Sequence, residues 1–363
     1  MTQILEFPGF VDVHVHFRDP GATDAEDRHS GSLAAHNGGF AAVVTMPNTN
    51  PAGDNIAWLR DQIEDATLPV KIFPSACITA GRLGRQVAPL EELAEVGAAF
   101  FTDDGSYVAD DKVMEEAMKR AVKLNRCICD HAMDPKLQKG GVIRECALAH
   151  EFSLPIISVE TETAAIRRDI SLCRVTGAHL HIQHISTAAG VELVRDAQKE
   201  GLPVTAEACP HHLLFSCDEL TADDANFKMA PPLGNREDRA ELRRAVKNGV
   251  LMFATDHAPH CAETKSRGFR SSANGIIGLE AAIGATYQAM VVEEGMTVEK
   301  WAEAWWKMPR QILPEGYVRQ LDLLPKTHVE INGDFRINAS RFASKSRNTP
   351  YDGMIFAARP VVL

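Results

Sequence analysis

Eight short runs rich in β-branched and apolar residues, each followed by a longer stretch able to form a helix, recur through most of this 363-residue chain. They are Phe10 to His16, Ala41 to Met46, Val70 to Pro74, Ala99 to Thr102, Cys127 to His131, His179 to His184, Pro203 to Ala208 and Val250 to Thr255. Runs this short and apolar read as strands buried on both faces, and the helical stretches between them are the crossovers that parallel strands require. The clearest of these stretches is DDKVMEEAMKRAVKLN, residues 110 to 125, in which Val113, Met114, Ala117, Met118, Ala121 and Val122 form one apolar stripe expected to pack on the sheet. Eight βα units predict an α/β chain folded as a (β/α)8 TIM barrel, whose active site lies at the C-terminal ends of the strands. The tail alternates polar and apolar residues, so residues 1–7 and 326–363 are expected to form a small, reduced β-sandwich element beside a barrel of residues 8–325.

Composition agrees with a soluble globular chain: 45% of residues are hydrophobic and 24% charged. A net charge of -11 without a basic run argues against nucleic acid or an anionic membrane as the main partner. The N-terminus, MTQILEFPGF, lacks the basic and apolar regions of a signal peptide, and no run of 18 apolar residues occurs, so the expected location is cytoplasmic. Eight cysteines are scattered without a C-x-x-C pair and are read as buried, reduced thiols.

With 14 histidines in the chain, one His-x-His pair such as His14 and His16 means little, and His179 and His181 form another. What gives the first pair weight is the residues that end the other strands. Asn48 follows the second run, Asp103 and Asp104 the fourth, His131 the fifth, His184 the sixth, His211 and His212 the seventh, and Asp256 the eighth. A capped loop or a hydrogen-bonded core histidine would explain any one of them, but together they crowd one rim with imidazoles and carboxylates. Those ligands suit Zn2+ or a similar divalent ion. Local sequence does not decide between Asp103 and Asp104. His179 and His181, on the opposite strand parity to His184, are expected to face the helices.

In order along the chain, PGFVDVHVHFRDPG, TMPNTNP, FTDDG, QHIST, PHHLLF, MAPPL and TDHAPH resemble the dihydroorotases of the amidohydrolase superfamily, over nearly the whole chain. The resemblance is to the class I type, in which an aspartate rather than a carboxylated lysine bridges two metal ions in a metal-dependent hydrolase barrel. It implies His14 and His16 as ligands of one metal and His131 and His184 as ligands of the second. Asp104, 27 positions before His131, becomes the bridge, and Asp256 completes the first site. It further implies reversible hydrolysis of L-dihydroorotate to N-carbamoyl-L-aspartate in pyrimidine biosynthesis, by a hydroxide shared between two divalent ions, most simply zinc, with Asp256 as general acid and base. Arg18, Asn48 and His260 would hold the substrate carboxylate, and Asn274 and Gly275 the amide edge of the ring. The guanidinium of Arg18 suits that task because it grips a carboxylate with two parallel hydrogen bonds. A homodimer and association with aspartate transcarbamoylase are further expectations of the resemblance.

Two positions depart from the family pattern: Ala230 stands where asparagine is usual and Gly234 where arginine is common. Ala230 cannot donate a side-chain hydrogen bond to substrate. The segment 261–278, rich in Ser, Gly, Arg and Lys, reads as a mobile lid or as a plain solvated connection. Two other functions compete with the first. One is a different cyclic amidohydrolase, of the allantoinase or hydantoinase type, against which Arg18 and the aspartates after the fourth run argue. The other is a non-catalytic dihydroorotase-like subunit that scaffolds aspartate transcarbamoylase, which has no need of six converging ligands.

Overall fold

The computed structural model describes residues 2–63 and 67–362. Its strands are β1 (Gln3–Phe7), β2 (Phe10–Val15), β3 (Phe40–Thr45), β4 (Lys71–Pro74), β5 (Ile128–Asp130), β6 (Leu180–Ile182), β7 (Val204–Ala208), β8 (Met252–Phe253), β9 (Thr327–Arg336) and β10 (Ile355–Val361). The fold is α/β: β2, β3 and β4 pair in parallel, and so do β5, β6, β7 and β8. Isolated parallel bridges join these two groups at both edges. Phe101 pairs with Ala76 and with Ile128, and Val15 pairs with His257, so the first parallel strand neighbours the chain just after β8.

The expected strand at Ala99 to Thr102 is reduced to that bridge at Phe101. Hydrogen bonds to both neighbours are still made, from Thr102 N–H to Ala76 O at 2.9 Å and from Cys129 N–H to Phe101 O at 2.8 Å. The same pattern runs along the segment, with Ala99 N–H donating to Pro74 O at 2.9 Å and Phe101 N–H to Cys127 O at 3.1 Å.

Both faces of the parallel strands are covered, which explains their near-continuous apolar sequence. Phe10, Val43, Ile128, Leu180, Ile182 and Phe253 share one cluster with helix residues such as Met114, Met118, Val191 and Trp301. Alternate positions, Val11, Val13, Ala42, Val44, Phe73, Cys129 and Met252, join a second cluster completed by Ile312, Leu313 and Leu321. The helix Asp111–Leu124 begins with Asp110 accepting from the backbone N–H groups of Lys112 and Val113, and it ends in Asn125 in the left-handed conformation. Its stripe buries Met114, Ala117, Met118 and Ala121 as expected, whereas Val122 is 44% exposed and lies off the contact.

β1, β9 and β10 form a separate antiparallel sheet in the order β1-β9-β10. The cysteines are all free, and seven of the eight are buried; Cys261 is partly exposed. Among the described residues no helix is long and apolar enough to cross a membrane.

Truncating the helix contact gives a direct check of this packing. Met118→Ala should cost about 2–5 kcal/mol in urea unfolding, because a fully buried side chain leaves a cavity, while Val122→Ala should stay within about 0.5 kcal/mol.

Candidate metal centre and active site

The strand ends bring the expected residues to one place. Asp104 Oδ1 lies 3.2 Å from His14 Nε2, 3.6 Å from His131 Nδ1 and 3.7 Å from His184 Nε2, and Asp104 Oδ2 lies 3.4 Å from His16 Nε2. Asp256 Oδ1 is 2.9 Å from His16 Nε2 and 3.5 Å from His14 Nε2. Asp103 points elsewhere, accepting from the backbone N–H of Thr79 at 3.0 Å and from its hydroxyl. Geometry therefore separates two aspartates that local sequence could not.

Backbone conformation aims several of these groups. Arg18, His184 and Asp256 all have positive φ, at 56°, 33° and 49°, although none is glycine. Such left-handed residues are costly and persist only where the surroundings over-determine them. The turn at His184 carries it out of the alternation of β6. Counting alternation back from His184 therefore puts His181 on the wrong face. His181 is buried in the interior, with Nε2 donating to Glu207 Oε2 at 3.0 Å, and does not face the helices.

Partners behind the site settle which ring nitrogen faces inward. His14 Nδ1 donates to Glu207 Oε1 at 2.6 Å and His16 Nδ1 donates to Asn48 Oδ1 at 2.9 Å, so each ring turns Nε2 toward the aspartates. Asn48 also donates from Nδ2 to Asp104 Oδ2 at 3.1 Å. Glu207 takes a third donor, the backbone N–H of His184, at 3.2 Å. Burial alone would raise the Glu207 carboxyl, but the charges of and hydrogen bonds from His14 and His181 bring it down to about 2. Beneath, Asp12 accepts from the backbone N–H groups of His14 and Thr255 at 3.1 Å, and burial lifts its carboxyl to about 7.

The donor set fits a divalent cation. His14 Nε2 is buried and has no hydrogen-bond partner, and His131 Nδ1 sits 2.9 Å from His184 Nε2, two basic nitrogens turned on one point. Two groups, His14 with His16 and Asp256, and His14 with Asp104 and His184, have ligand atoms all within 4.8 Å of one another. Burial opposes charge on His14, yet Asp104, Glu207 and Asp256 raise its pKa well above the ordinary value. Three buried carboxylates around one imidazole call for positive charge.

The cluster opens into a cavity of about 270 Å³ that is also lined by Arg18, Asn48, Met133, Gln138, Ala230, His260, Asn274 and Gly275. Arg18 Nε donates to Pro259 O at 3.2 Å. His260 Nε2 donates to Asn274 O at 2.7 Å, and burial followed by the nearby Arg18 charge pulls its pKa down to about 3. His211 and His212 are buried and stand with Cys209 in a group of their own, His212 Nε2 donating to Pro231 O at 3.1 Å. Gly234 has no room for arginine: a Cβ there would come within 2.5 Å of Asp238 Cβ and 2.8 Å of Ser186 O.

Sequence reading missed Glu207, Asp12 and Asn48's bonds to His16 and Asp104. The available signal was an acidic residue inside an otherwise apolar strand, Glu207 in VTAEA and Asp12 in FVDVHV.

The family described as Dihydro-orotase-like matches residues 3–189. A dihydroorotase of Carboxydothermus hydrogenoformans is 39% identical over 360 residues, covering 98% of this chain and 84% of that one. One from Geobacillus thermodenitrificans is 39% identical over 361 residues, covering 98% and 84%. Among solved structures, L-hydantoinase (dihydropyrimidinase) from Arthrobacter aurescens superposes with a TM-score of 0.80 at 24% identity, covering 98% of this chain and 82% of that one. Dihydropyrimidinase from Brevibacillus agri superposes with a TM-score of 0.79 at 20% identity, covering 99% and 83%.

Replacing the carboxylate behind His14 tests the site without touching its ligands. Glu207→Gln should weaken metal binding by about 10- to 100-fold in a chelator competition, the range found for partners that orient ligating histidines.

Proposed function

The chain belongs to the dihydroorotase-like family of the amidohydrolase superfamily, and from that premise we propose that it interconverts L-dihydroorotate and N-carbamoyl-L-aspartate. The single observation that most supports this reaction is Arg18, which lines the same cavity as Asp104, Asp256 and the histidines and offers a guanidinium to a carboxylated ring.

We assign the parallel strands and their bridges to a (β/α)8 barrel of residues 8–325, with residues 1–7 and 326–363 as the reduced β-sandwich element. The closing bridge between Val15 and His257 supports the barrel, and the sheet of β1, β9 and β10 supports the appended element. In this reading the site works in the cytoplasm, in pyrimidine biosynthesis, on a small-molecule substrate.

His14, His16 and Asp256 would hold one divalent ion, His131 and His184 a second, and Asp104 would face both, with zinc suited to this set. Such ions, when bound, polarise a carbonyl and lower the pKa of water from 15.7 to roughly 7. The chain's own residues do the rest. Arg18 binds the substrate carboxylate and fixes the ring's orientation, whereas His260, expected beside it, has its Nε2 N–H on Asn274 O and so orients that backbone first. Asn48 has both ends of its amide on His16 and Asp104, so its first task is to orient them, ahead of the carboxylate contact expected for it. Asn274 and Gly275 present backbone to the amide edge of the ring.

During hydrolysis water adds to the ring carbonyl carbon and the carbon–nitrogen bond breaks. Asp256 takes the proton from the water and delivers it to the departing nitrogen. Ring closure runs the same steps backward. Burial would raise the pKa of Asp256, but His14 and His16 hold it far below the usual range, so the carboxyl is ionised and has a lone pair for the first transfer.

Incubating the purified protein with L-dihydroorotate, hydantoin and allantoin, with metal content measured on the same sample, tests the reading. Ring-opening of dihydroorotate alone is expected, and turnover of hydantoin or allantoin without dihydroorotate would overturn it. Asp256→Asn should lower kcat by about 10²- to 10⁴-fold. Arg18→Met should act on binding, raising KM by about 10- to 100-fold, as expected for losing a charged hydrogen-bond donor.

A further inference from the structure

The segment read either as a mobile lid or as a solvated connection is tied down from beneath. It forms two short helices, Ala262–Lys265 and Gly268–Ser271, and its lysine at 265 is turned inward with only 8% of its surface exposed. Lys265 Nζ donates to three backbone carbonyls, those of Lys228 at 3.1 Å, Ala273 at 3.0 Å and Gly275 at 2.9 Å. An ammonium group has three protons, and all three are used.

Those carbonyls belong to two stretches that wall the catalytic cavity. Lys228 lies two positions before Ala230, and Ala273 and Gly275 flank Asn274; Ala230, Asn274 and Gly275 all line the cavity. Further bonds knit the same stretches together: Gly275 N–H donates to Lys228 O at 3.0 Å and Ala273 N–H to Thr264 O at 2.9 Å. Lys228 Nζ donates to Ser272 O at 2.6 Å. Gly275 itself is fixed by its conformation, with φ at 121° and room for no Cβ beside Ala258.

We propose that Lys265 is a positioning residue for substrate, its ammonium holding the Asn274–Gly275 wall against the Lys228–Ala230 stretch so that the backbone of that wall meets the ring's amide edge. This inference rests on the dihydroorotase reading of the site. It replaces a swinging lid with a fixed wall whose latch is a charge.

The latch depends on the proton. A neutral amine keeps two N–H donors and turns a lone pair toward the third carbonyl, which repels it. Burial, and then the Lys228 ammonium, lower the pKa of Lys265 to about 7, with Asp224 opposing. Asp24, His260, Cys261, Lys345 and Arg347 are the other charged or titratable groups lining the neighbouring cavity. The charged, three-donor form therefore predominates below neutral pH and is lost as pH rises through about 7.

Lys265→Met keeps the length of the side chain and removes its donors. KM for dihydroorotate should rise about tenfold or more below neutral pH with kcat changed little, the pattern of lost ground-state and transition-state binding alike. Wild-type KM should rise through about pH 7, an inflection the variant lacks. Amide exchange at Ala273 and Gly275, corrected for intrinsic pH dependence, should be faster in the variant and in the wild type above neutral pH. The exchange measurement needs no turnover, and the wild-type pH series needs no variant. If dihydroorotate is not opened at all, the assigned reaction falls while exchange still judges the latch. Unchanged exchange, an unchanged KM, or a fall in kcat alone would overturn the proposal.

Discussion

Three carboxylates, Asp104, Asp256 and Glu207, are buried around a single imidazole, and most of the interior answers to that concentration of charge. Carboxylates taken out of water are costly unless each lone pair finds a donor or a cation. Glu207 is satisfied by His14, His181 and the backbone of His184. Asp256 leans on His16, and Asp104 on Asn48 together with four surrounding rings. Left-handed backbone at Arg18, His184 and Asp256 is tolerated because these contacts leave those residues no other place to go. The protein groups only approach that balance, which is why the cluster fits a cation.

Much of this was legible in the sequence because strand ends are local features. An apolar run that stops at His14 and His16, or at Asp256, announces both its strand and its rim. What escaped was the layer behind. Glu207 and His14 are 193 positions apart, and nothing near either one specifies their 2.6 Å contact. His181 was misplaced for a different reason: alternation holds only while the backbone stays extended, and His184 has already left it.

The departures from the family pattern have different physical standing. Gly234 is enforced, since Asp238 and the carbonyl of Ser186 occupy the place of any side chain. Ala230 is not enforced in that way; it faces the cavity beside Asn274 and Gly275, where a longer residue would meet substrate. The cavity wall on that side is backbone at Asn274 and Gly275, and the Lys265 ammonium beneath it is bonded to the carbonyls of Lys228, Ala273 and Gly275.

The bridge between Val15 and His257 also bears on how such a protein is made. Its halves are 242 positions apart, so at roughly 5–20 residues per second the first strand waits about 12 to 48 s on the ribosome for its last neighbour. Throughout that interval one edge of β2 is unpaired, and His14 and His16 lack the contact with Asp256 that they make in the folded protein. The nascent chain thus passes through a stage in which that edge is open to strands that are not its own.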